Sequence, residues 1–293
     1  MARKRSAKIA ALNIKIQPDH SPRKYVSLLN FVWKKMLTGV IQGHDRLILG
    51  LLYPLLRKSE RRKLQGHIFT FTELDDDTQW IDLKNMNRIP PEEAPKIPEN
   101  AKPNMKSNLF VFDPYTHIML VHMDRRSINS LQKGLQNLCN RPEVTEKFDS
   151  VDIEVVKDIQ YLSDIVDMAK ERLDSLKIEF SLPNADEISE IKQRTVERLK
   201  KAKIKKIAYA EKAMPGGMQL TDETRALLAI SADNGVAVAS GRRNGKRETI
   251  STAAHPMYMP VPYDPDEVTA TQRICDYSET LLNSVKNQRA QDL

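Results

Sequence analysis

Acidic residues and a lysine in the first third of the chain have the spacing of a metal-dependent nuclease site. Asp82 is followed two residues later by Lys84, and Glu73 and 75–77 precede it. In nucleases of the restriction type, two carboxylates hold Mg²⁺ and a lysine two residues after the second helps to activate water. An acid, a spacer and a lysine also occur by chance in charged proteins, and 75–77 is equally typical of a turn. We therefore predict no catalytic residue and no metal site, and keep the nuclease as an alternative.

Other chemistry finds little support in the sequence. The six histidines are scattered, and no nucleophile elbow, phosphate-binding loop or zinc-protease motif is present. Cys139 and Cys275 are far apart, so neither a disulfide framework nor a zinc site is indicated. The longest apolar run, 47–56, is too short to span a bilayer. These features predict a cytoplasmic protein with no cofactor and no membrane partner.

Positive charge is concentrated at one end of the chain. Residues 1–66 contain fifteen Lys or Arg against three acids, whereas 67–293 contain 31 against 36. The overall charge of +7 therefore reflects a local basic surface and not an even composition. A concentrated positive field favours a polyanionic partner, and nucleic acid is the commonest one.

Four groups of cations could form such a surface: an N-terminal arm, a joint between two strands, the end of a charged helix and the tip of a hairpin. Each group alone is equally typical of a solvated surface. Together on one face they would neutralise several phosphates. The predicted nucleic-acid-binding residues are Arg3, Lys4, Arg5, Arg57, Lys58, Arg61, Arg62, Lys63, Lys200, Lys201, Lys203, Lys205, Lys206, Arg242, Arg243, Lys246 and Arg247.

The composition of these groups also indicates the kind of nucleic acid. The chain has no zinc-finger spacing and no basic region that continues into heptads, so little reading of bases is expected. The basic groups lack the aromatic residues on which single-stranded bases stack, which favours duplex DNA. The second alternative is a scaffold without enzymatic activity whose cations contact an acidic protein.

The elements that must position these cations follow from periodicity and capping, and they predict an α+β fold. We expect a basic N-terminal lobe over 1–88, in which Ser21 caps a helix and Pro22 begins it. The predicted strands of this lobe are 8–16, 46–53 and 64–74.

Proline then divides the chain. The segment 89–104 is rich in proline and poor in apolar residues, and is predicted to be a linker. A ββαβαβ domain is expected over 105–209, ending in a charged helix from about residue 186 to 209. The rest, 210–293, is predicted as a helix, hairpin and helix that can pack back on the N-terminal lobe. Within it, Asn244 and Gly245 form the hairpin turn.

Five short segments carry a resemblance to known proteins: 80–83, 109–113, 178–184, 234–241 and 251–256. Together they resemble a bacterial family found among phage-defence genes and, more loosely, the RexA proteins of the lambda exclusion system. RexA-like proteins are two-lobed dimers that bind DNA without marked sequence preference. The resemblance therefore implies a homodimer that acts as a sensor or effector in anti-phage defence, with a second defence protein as a possible partner. It carries over no catalytic residue.

Overall fold

The computed structural model shows an α+β protein built on antiparallel sheets. In the part of the chain that the structure describes, no helix is both long and apolar enough to cross a membrane. The described residues are 5–18, 21–55, 63–74, 78–82, 84–90, 92–94, 96, 98, 101–124, 126–181, 197–198, 201–202, 204 and 206–290.

The elements below are numbered along the described chain. The helices are α1 (Pro22–Lys34), α2 (Ile128–Cys139), α3 (Pro142–Phe148), α4 (Ile159–Glu171), α5 (Asp222–Asn234) and α6 (Ala270–Ala290). The strands are β1 (Arg5–Gln17), β2 (Thr38–Gln42), β3 (Asp45–Leu55), β4 (Lys63–Thr72), β5 (Trp80–Asp82), β6 (Asn87–Ile89), β7 (Lys106–Asp113), β8 (Ile118–Met123), β9 (Ser150–Val155), β10 (Arg172–Ser181), β11 (Lys206–Lys212), β12 (Gly235–Arg243), β13 (Lys246–Ser251) and β14 (Tyr258–Tyr263).

The larger sheet has eight strands in the order β14-β1-β8-β7-β4-β3-β2, and β9 also pairs with β1. β1 is thirteen residues long, so one of its edges accommodates two partners in succession. Ile9 lies opposite Met259 of β14, and Ile14 lies opposite Ile153 of β9. β1 is therefore the strand around which this sheet is organised.

Helices cover both faces of the eight-stranded sheet. Leu12 and Ile14 pack with buried residues of α1, α2 and α3, whereas Ile9 and Ala11 pack with buried residues of α6. These two pairs alternate along β1, and alternate residues of a strand point to opposite faces. The Ser21 hydroxyl accepts a hydrogen bond from the Lys24 N–H, so the predicted cap of α1 is confirmed.

The smaller sheet has four strands in the order β11-β10-β12-β13, and α4 and α5 pack on one of its faces. The core between them contains Ile178, Phe180 and Ala239. Residues that alternate with these, such as Lys177 and Val238, retain solvent exposure. This sheet is thus covered by described helices on one face only.

Sheet pairing divides the chain differently from the predicted domains. β4 and β7 are separated along the chain by β5, β6 and the proline-rich segment, yet they pair directly, with Leu64 opposite Phe112. β7, β8 and β9 belong to the eight-stranded sheet, whereas β10 belongs to the four-stranded one. The elements of the predicted ββαβαβ unit are present in order as β7, β8, α2, β9, α4 and β10, but their strands are divided between the two sheets because they find hydrogen-bond partners far away in the sequence. The predicted C-terminal segment is also divided between the two sheets. Its β12–β13 hairpin pairs with β10 of the smaller sheet, whereas β14 pairs with β1 of the larger one.

One strand contains prolines, and one element prediction is corrected. β14 includes Pro260 and Pro262, which lack an N–H, and it lies at the edge of its sheet, where proline is tolerated. The charged helix was expected to reach residue 209, but the chain is a strand from Lys206 onward. Most of that predicted helix lies outside the described residues.

Candidate nucleic-acid interface

The exposed side of the four-stranded sheet is the candidate interface, and we call it the open face. Helix α4 lies on the opposite side, since a Cβ added at Gly241 would come within 2.9 Å of the Met168 sulfur. Residues 238, 240 and 242 alternate with Gly241 and point away from α4. No helix within the described ranges packs over this side of the sheet.

Three arginines stand in register across the open face. Arg172 of β10 lies opposite Arg242 of β12, which lies opposite Arg247 of β13. Directly opposed residues project from the same face, and neighbouring strands are about 4.8 Å apart. The three guanidinium groups therefore start from a line about 10 Å long, which we call the arginine row.

A second row, which we call the hydroxyl row, lies beside the arginine row. Ser175 lies opposite Lys212 on one side and Ser240 on the other, and Ser240 lies opposite Thr249. The Ser240 and Thr249 hydroxyl oxygens are 2.9 Å apart. This end of the open face thus combines guanidinium donors, hydroxyl donors and one ammonium group.

One carboxylate lies among these cations. The Arg172 Nε donates to Asp174 Oδ1 at 2.7 Å. That hydrogen bond holds the pKa of Asp174 below its ordinary value, and the charges of Arg247 and Arg242 act in the same direction. All three arginines therefore converge electrostatically on one carboxylate. With Lys212, four cations stand against one acid, and this end of the face is strongly positive.

The other end of the open face is closer to neutral. Glu179 pairs with Lys177 at 2.6 Å and with Lys206 at 3.7 Å. The hydrogen bond from Lys177, with the charge of Lys206, lowers the pKa of Glu179. Lys206 lies opposite Ser181, nine residues along β10 from Arg172, which is about 30 Å. The arginine row is therefore the more basic end.

Arg243 has a different role from its neighbour Arg242. Its guanidinium contacts Asp164 of α4 at 2.6 Å and Glu248 of β13 at 3.0 Å. The hairpin turn is also held by Glu171, whose carboxylate accepts from the N–H groups of Asn244 at 2.7 Å and Gly245 at 3.3 Å. Arg243 is one of the predicted nucleic-acid-binding residues, and in the structure its guanidinium links the hairpin to α4.

The other predicted cations that the structure describes lie on different elements. Lys63 is buried and its ammonium pairs with Glu279 of α6, so it is not at the surface. Arg5 is exposed at the start of β1 on the eight-stranded sheet, and Lys201 and Lys246 are exposed. The remaining predicted cations lie outside the described residues: Arg3, Lys4, Arg57, Lys58, Arg61, Arg62, Lys200, Lys203 and Lys205.

Sequence reasoning missed three cations of the open face, namely Arg172, Lys177 and Lys212. None belongs to a dense run of charge, which was the signal used. The signal that could have found Lys177 is alternation, since it stands between the buried Leu176 and Ile178 of a strand. The partners of each strand were still needed to place the three on one face.

The alternative nuclease site is partly described. Asp82 Oδ1 accepts from the Lys84 N–H at 2.8 Å, and Asp82 Oδ2 accepts from the Asn85 amide at 2.7 Å, so both oxygens are engaged within a turn. Residues 75–77 lie outside the described ranges. Among the described residues, no group of three or more His, Cys, Asp or Glu side chains is arranged to hold a metal ion.

A buried polar cluster joins the two sheets, and sequence reasoning did not anticipate it. The Lys15 ammonium of β1 donates to the Ser181 hydroxyl of β10. The Asn13 amide donates to Asn234 Oδ1 of α5 at 3.2 Å. Lys15 and Asn13 come from the eight-stranded sheet, and their partners come from the smaller unit. The two parts of the molecule thus meet through polar contacts.

Burial and neighbouring charges act in opposite directions on the pKa values of two residues in this cluster. Burial raises the pKa of Glu154 of β9, while the charges of Lys15 and Lys157 oppose that rise. Burial lowers the pKa of Lys157 to about 8, and the charge of Glu154 opposes it. The Lys157 N–H donates to the Ala232 carbonyl of α5 at 3.0 Å, which fixes Lys157 at the boundary.

Comparison with known proteins identifies a family for the whole arrangement. The chain belongs to the family described as Domain of unknown function (DUF4747), whose model matches residues 5–279. The match begins at the first residue of β1 and ends within α6, so it contains both sheets and the open face. No curated protein matches the chain.

Proposed function

We propose that this member of the DUF4747 family binds the phosphate backbone of duplex DNA with the open face, chiefly through the arginine row. The observation that carries the proposal is the in-register alignment of Arg172, Arg242 and Arg247 beside the hydroxyl row. Guanidinium groups donate two parallel hydrogen bonds to phosphate oxygens, and serine and threonine hydroxyls add single donors. Arranged in two rows, these groups suit a chain of phosphates better than one isolated anion.

The composition of the open face supports duplex DNA with little preference for sequence. The described residues that face outward on its four strands include no aromatic side chain on which an unpaired base could stack. Its donors are short or charged groups on a sheet and not a helix that could enter the major groove. Contacts to phosphates position a protein without reading bases. We therefore expect similar affinity for unrelated duplexes.

Salt-dependent binding tests this proposal. We would measure fluorescence anisotropy of a labelled mixed-sequence duplex with the full chain between 50 and 200 mM salt. Four phosphate contacts predict a slope of log K against log salt of about −4, or about a hundredfold loss over this range. Replacing all three arginines by alanine (R172A/R242A/R247A) should weaken binding at least tenfold and reduce the slope by about three.

A charge-matched variant provides the control. Lys34, Lys35 and Lys133 are exposed cations of the helices that cover the eight-stranded sheet. The triple variant K34A/K35A/K133A loses the same charge but should bind within about twofold of the wild type. Equal losses in the two triple variants would show that net charge and not the open face attracts DNA. Absence of duplex binding by the wild type at 50 mM salt would reject the function itself.

The cellular setting that we propose is bacterial phage defence, and it rests on the sequence resemblance to RexA-like proteins. Protection would require DNA binding if the protein acts as a sensor or effector of phage DNA. Cells that express the wild type should then plate phage less efficiently than cells that express the R172A/R242A/R247A variant. The homodimer that the resemblance implies is a separate prediction, which light scattering of the purified protein tests.

A further inference from the structure

A turn with an exposed methionine follows β11. Met214 is 82% exposed, a larger fraction than the other exposed large hydrophobic side chains of the described residues. Pro215 follows it, and Gly216 and Gly217 have φ values of 115° and 95°. Residues with a Cβ rarely adopt these backbone angles, so the two glycines allow the tight turn that exposes Met214.

Backbone hydrogen bonds hold this turn to the edge of β10. The Ala213 N–H donates to the Asp174 carbonyl at 2.8 Å, and the Met218 N–H donates to the Leu173 carbonyl at 2.9 Å. Within the turn, the Gly217 N–H donates to the Met214 carbonyl at 3.1 Å. Both ends and the middle of the turn are therefore fixed, although the Met214 side chain projects into solvent.

The turn stands at the end of the arginine row. Leu173 pairs with Gly241 on the β12 side, so its bridge to Met218 lies on the side of β11. A Cβ added at Gly217 would lie 3.1 Å from Cγ of Arg172. The turn thus occupies the position next to Arg172 at which a fourth strand would continue the row.

We propose that Met214 is a wedge that inserts between neighbouring base pairs of the duplex from the minor groove while the arginine row holds the adjacent phosphates. This inference rests on the proposed function. Many proteins that bend DNA insert an apolar side chain between neighbouring base pairs while cationic residues hold the backbone. This insertion kinks the duplex by about 20–90°. A methionine is long and flexible enough to enter a base step. The turn that carries Met214 lies against Arg172 through Gly217, so one segment brings the apolar side chain and the cationic contact together. Such a wedge distorts bases without reading their sequence.

Met86 offers a matched control. Its side chain is 70% exposed and it also lies in a turn, between β5 and β6. Those two strands form a separate small sheet that contains no part of the arginine row. Met214→Ala and Met86→Ala therefore remove the same exposed side chain at two sites, of which only one adjoins the open face.

Fluorescence of 2-aminopurine placed in a labelled duplex tests the wedge, because unstacking of this base raises its emission. The full-length wild type should raise the fluorescence and shorten the distance between dyes at the two duplex ends. Met214→Ala should lose most of both signals, bind with an affinity within about fivefold of the wild type, and keep the salt slope of the wild type. Met86→Ala should behave as the wild type in every measurement.

The outcomes separate the wedge from the proposed function. If the wild type binds duplex with the expected salt slope but neither unstacks nor bends it, the wedge is wrong and backbone binding stands. The wedge is also wrong if Met214→Ala retains both signals. If the wild type does not bind duplex at all, the proposed function and the wedge both fail. A loss of salt slope in Met214→Ala would show that this substitution disturbs the arginine row, and would also reject a separate role for Met214.

Discussion

The two main sheets of this protein use their surfaces differently. The eight-stranded sheet lies between α1, α2 and α3 on one face and α6 on the other. Its strand β1 is buried continuously from Ile9 to Ile16. In the four-stranded sheet, β12 alternates between buried and partly exposed residues, because only one face carries described helices. Helices therefore cover both faces of the first sheet, whereas the end of the second sheet that carries the arginine row keeps one face exposed to solvent.

This difference explains why cations can be placed in register on one sheet and not on the other. A charge on a covered face must be paired, as Lys63 is with Glu279 under α6. On the open face the arginine row shares one acid, Asp174, and the rest of its charge faces solvent. Exposure on one side therefore allows the second sheet to collect positive charge without the desolvation that burial imposes.

The largest difference between the two sheets should appear when an apolar side chain is removed from each. Phe110 of β7 is fully buried and its ring fills the space above Gly66. Phe110→Ala should lower the free energy of unfolding by about 3–5 kcal/mol, because it removes buried contacts and leaves a cavity. Val238→Ala on the open face should lower it by less than about 1 kcal/mol. Urea unfolding measures both, and similar losses would contradict the contrast between covered and open faces.

A smaller effect concerns the boundary between the two regions and depends on pH. The pKa of Lys157 in the folded protein is about 8, below the ordinary value of 10.5. Between these values the unfolded chain binds a proton that the folded chain does not, so stability should rise with pH. From pH 8 to pH 10 the wild type should gain about 2 kcal/mol relative to Lys157→Met. The measurement is urea unfolding of both proteins across this pH range.

A second variant makes this pH prediction specific. The charge of Glu154 raises the pKa of Lys157, in opposition to burial. Glu154→Gln should therefore move the rise in stability to lower pH, whereas Lys157→Met should abolish it. Parallel stability curves for the wild type and Lys157→Met would show that this lysine does not lose its proton near pH 8, and would contradict the assigned environment.

The smallest effect distinguishes two adjacent arginines on opposite sides of the four-stranded sheet. Arg243 links α4 and β13 through Asp164 and Glu248, so Arg243→Ala should lower the free energy of unfolding by about 1 kcal/mol. Arg242→Ala should leave stability within about 0.5 kcal/mol but weaken duplex binding several-fold. Thermal unfolding should show the loss of stability in Arg243→Ala, and fluorescence anisotropy should show the loss of duplex binding in Arg242→Ala. Equal effects of both substitutions on binding would remove the distinction between positioning and contact.

Local features were readable from the sequence. Ser21 with Pro22 predicted where α1 begins, and that helix is present with the Ser21 hydroxyl as its cap. Asn244 and Gly245 predicted the tight turn of the β12–β13 hairpin, and their φ values of 52° and 73° agree with it. Helix caps and tight turns depend on residues that are close together in the sequence, so they can be predicted without knowledge of the fold.

The sequence showed where Lys and Arg are concentrated, but not which partner each of these cations has in the fold. The runs of Lys and Arg marked Lys63, Arg242 and Arg243 alike, although the first is buried in an ion pair and the third ties a hairpin to a helix. Arg172 stood outside every run and was missed. Charge density along the chain reports composition, whereas the partner of each cation depends on elements that can lie far away in the sequence.

From the residues alone we could predict the α+β class, the start of α1, the turn of the β12–β13 hairpin and the excess of positive charge. The structure adds that Arg172 stands beside Arg242, seventy residues further along the chain, and that β4 and β7 pair across the proline-rich segment. These pairings are not local, because strands gain their hydrogen bonds from partners selected by burial and register over the whole molecule. The sequence of one strand shows which residues alternate between its two faces. Its neighbours in the sheet and their register decide which charged residues come to lie side by side.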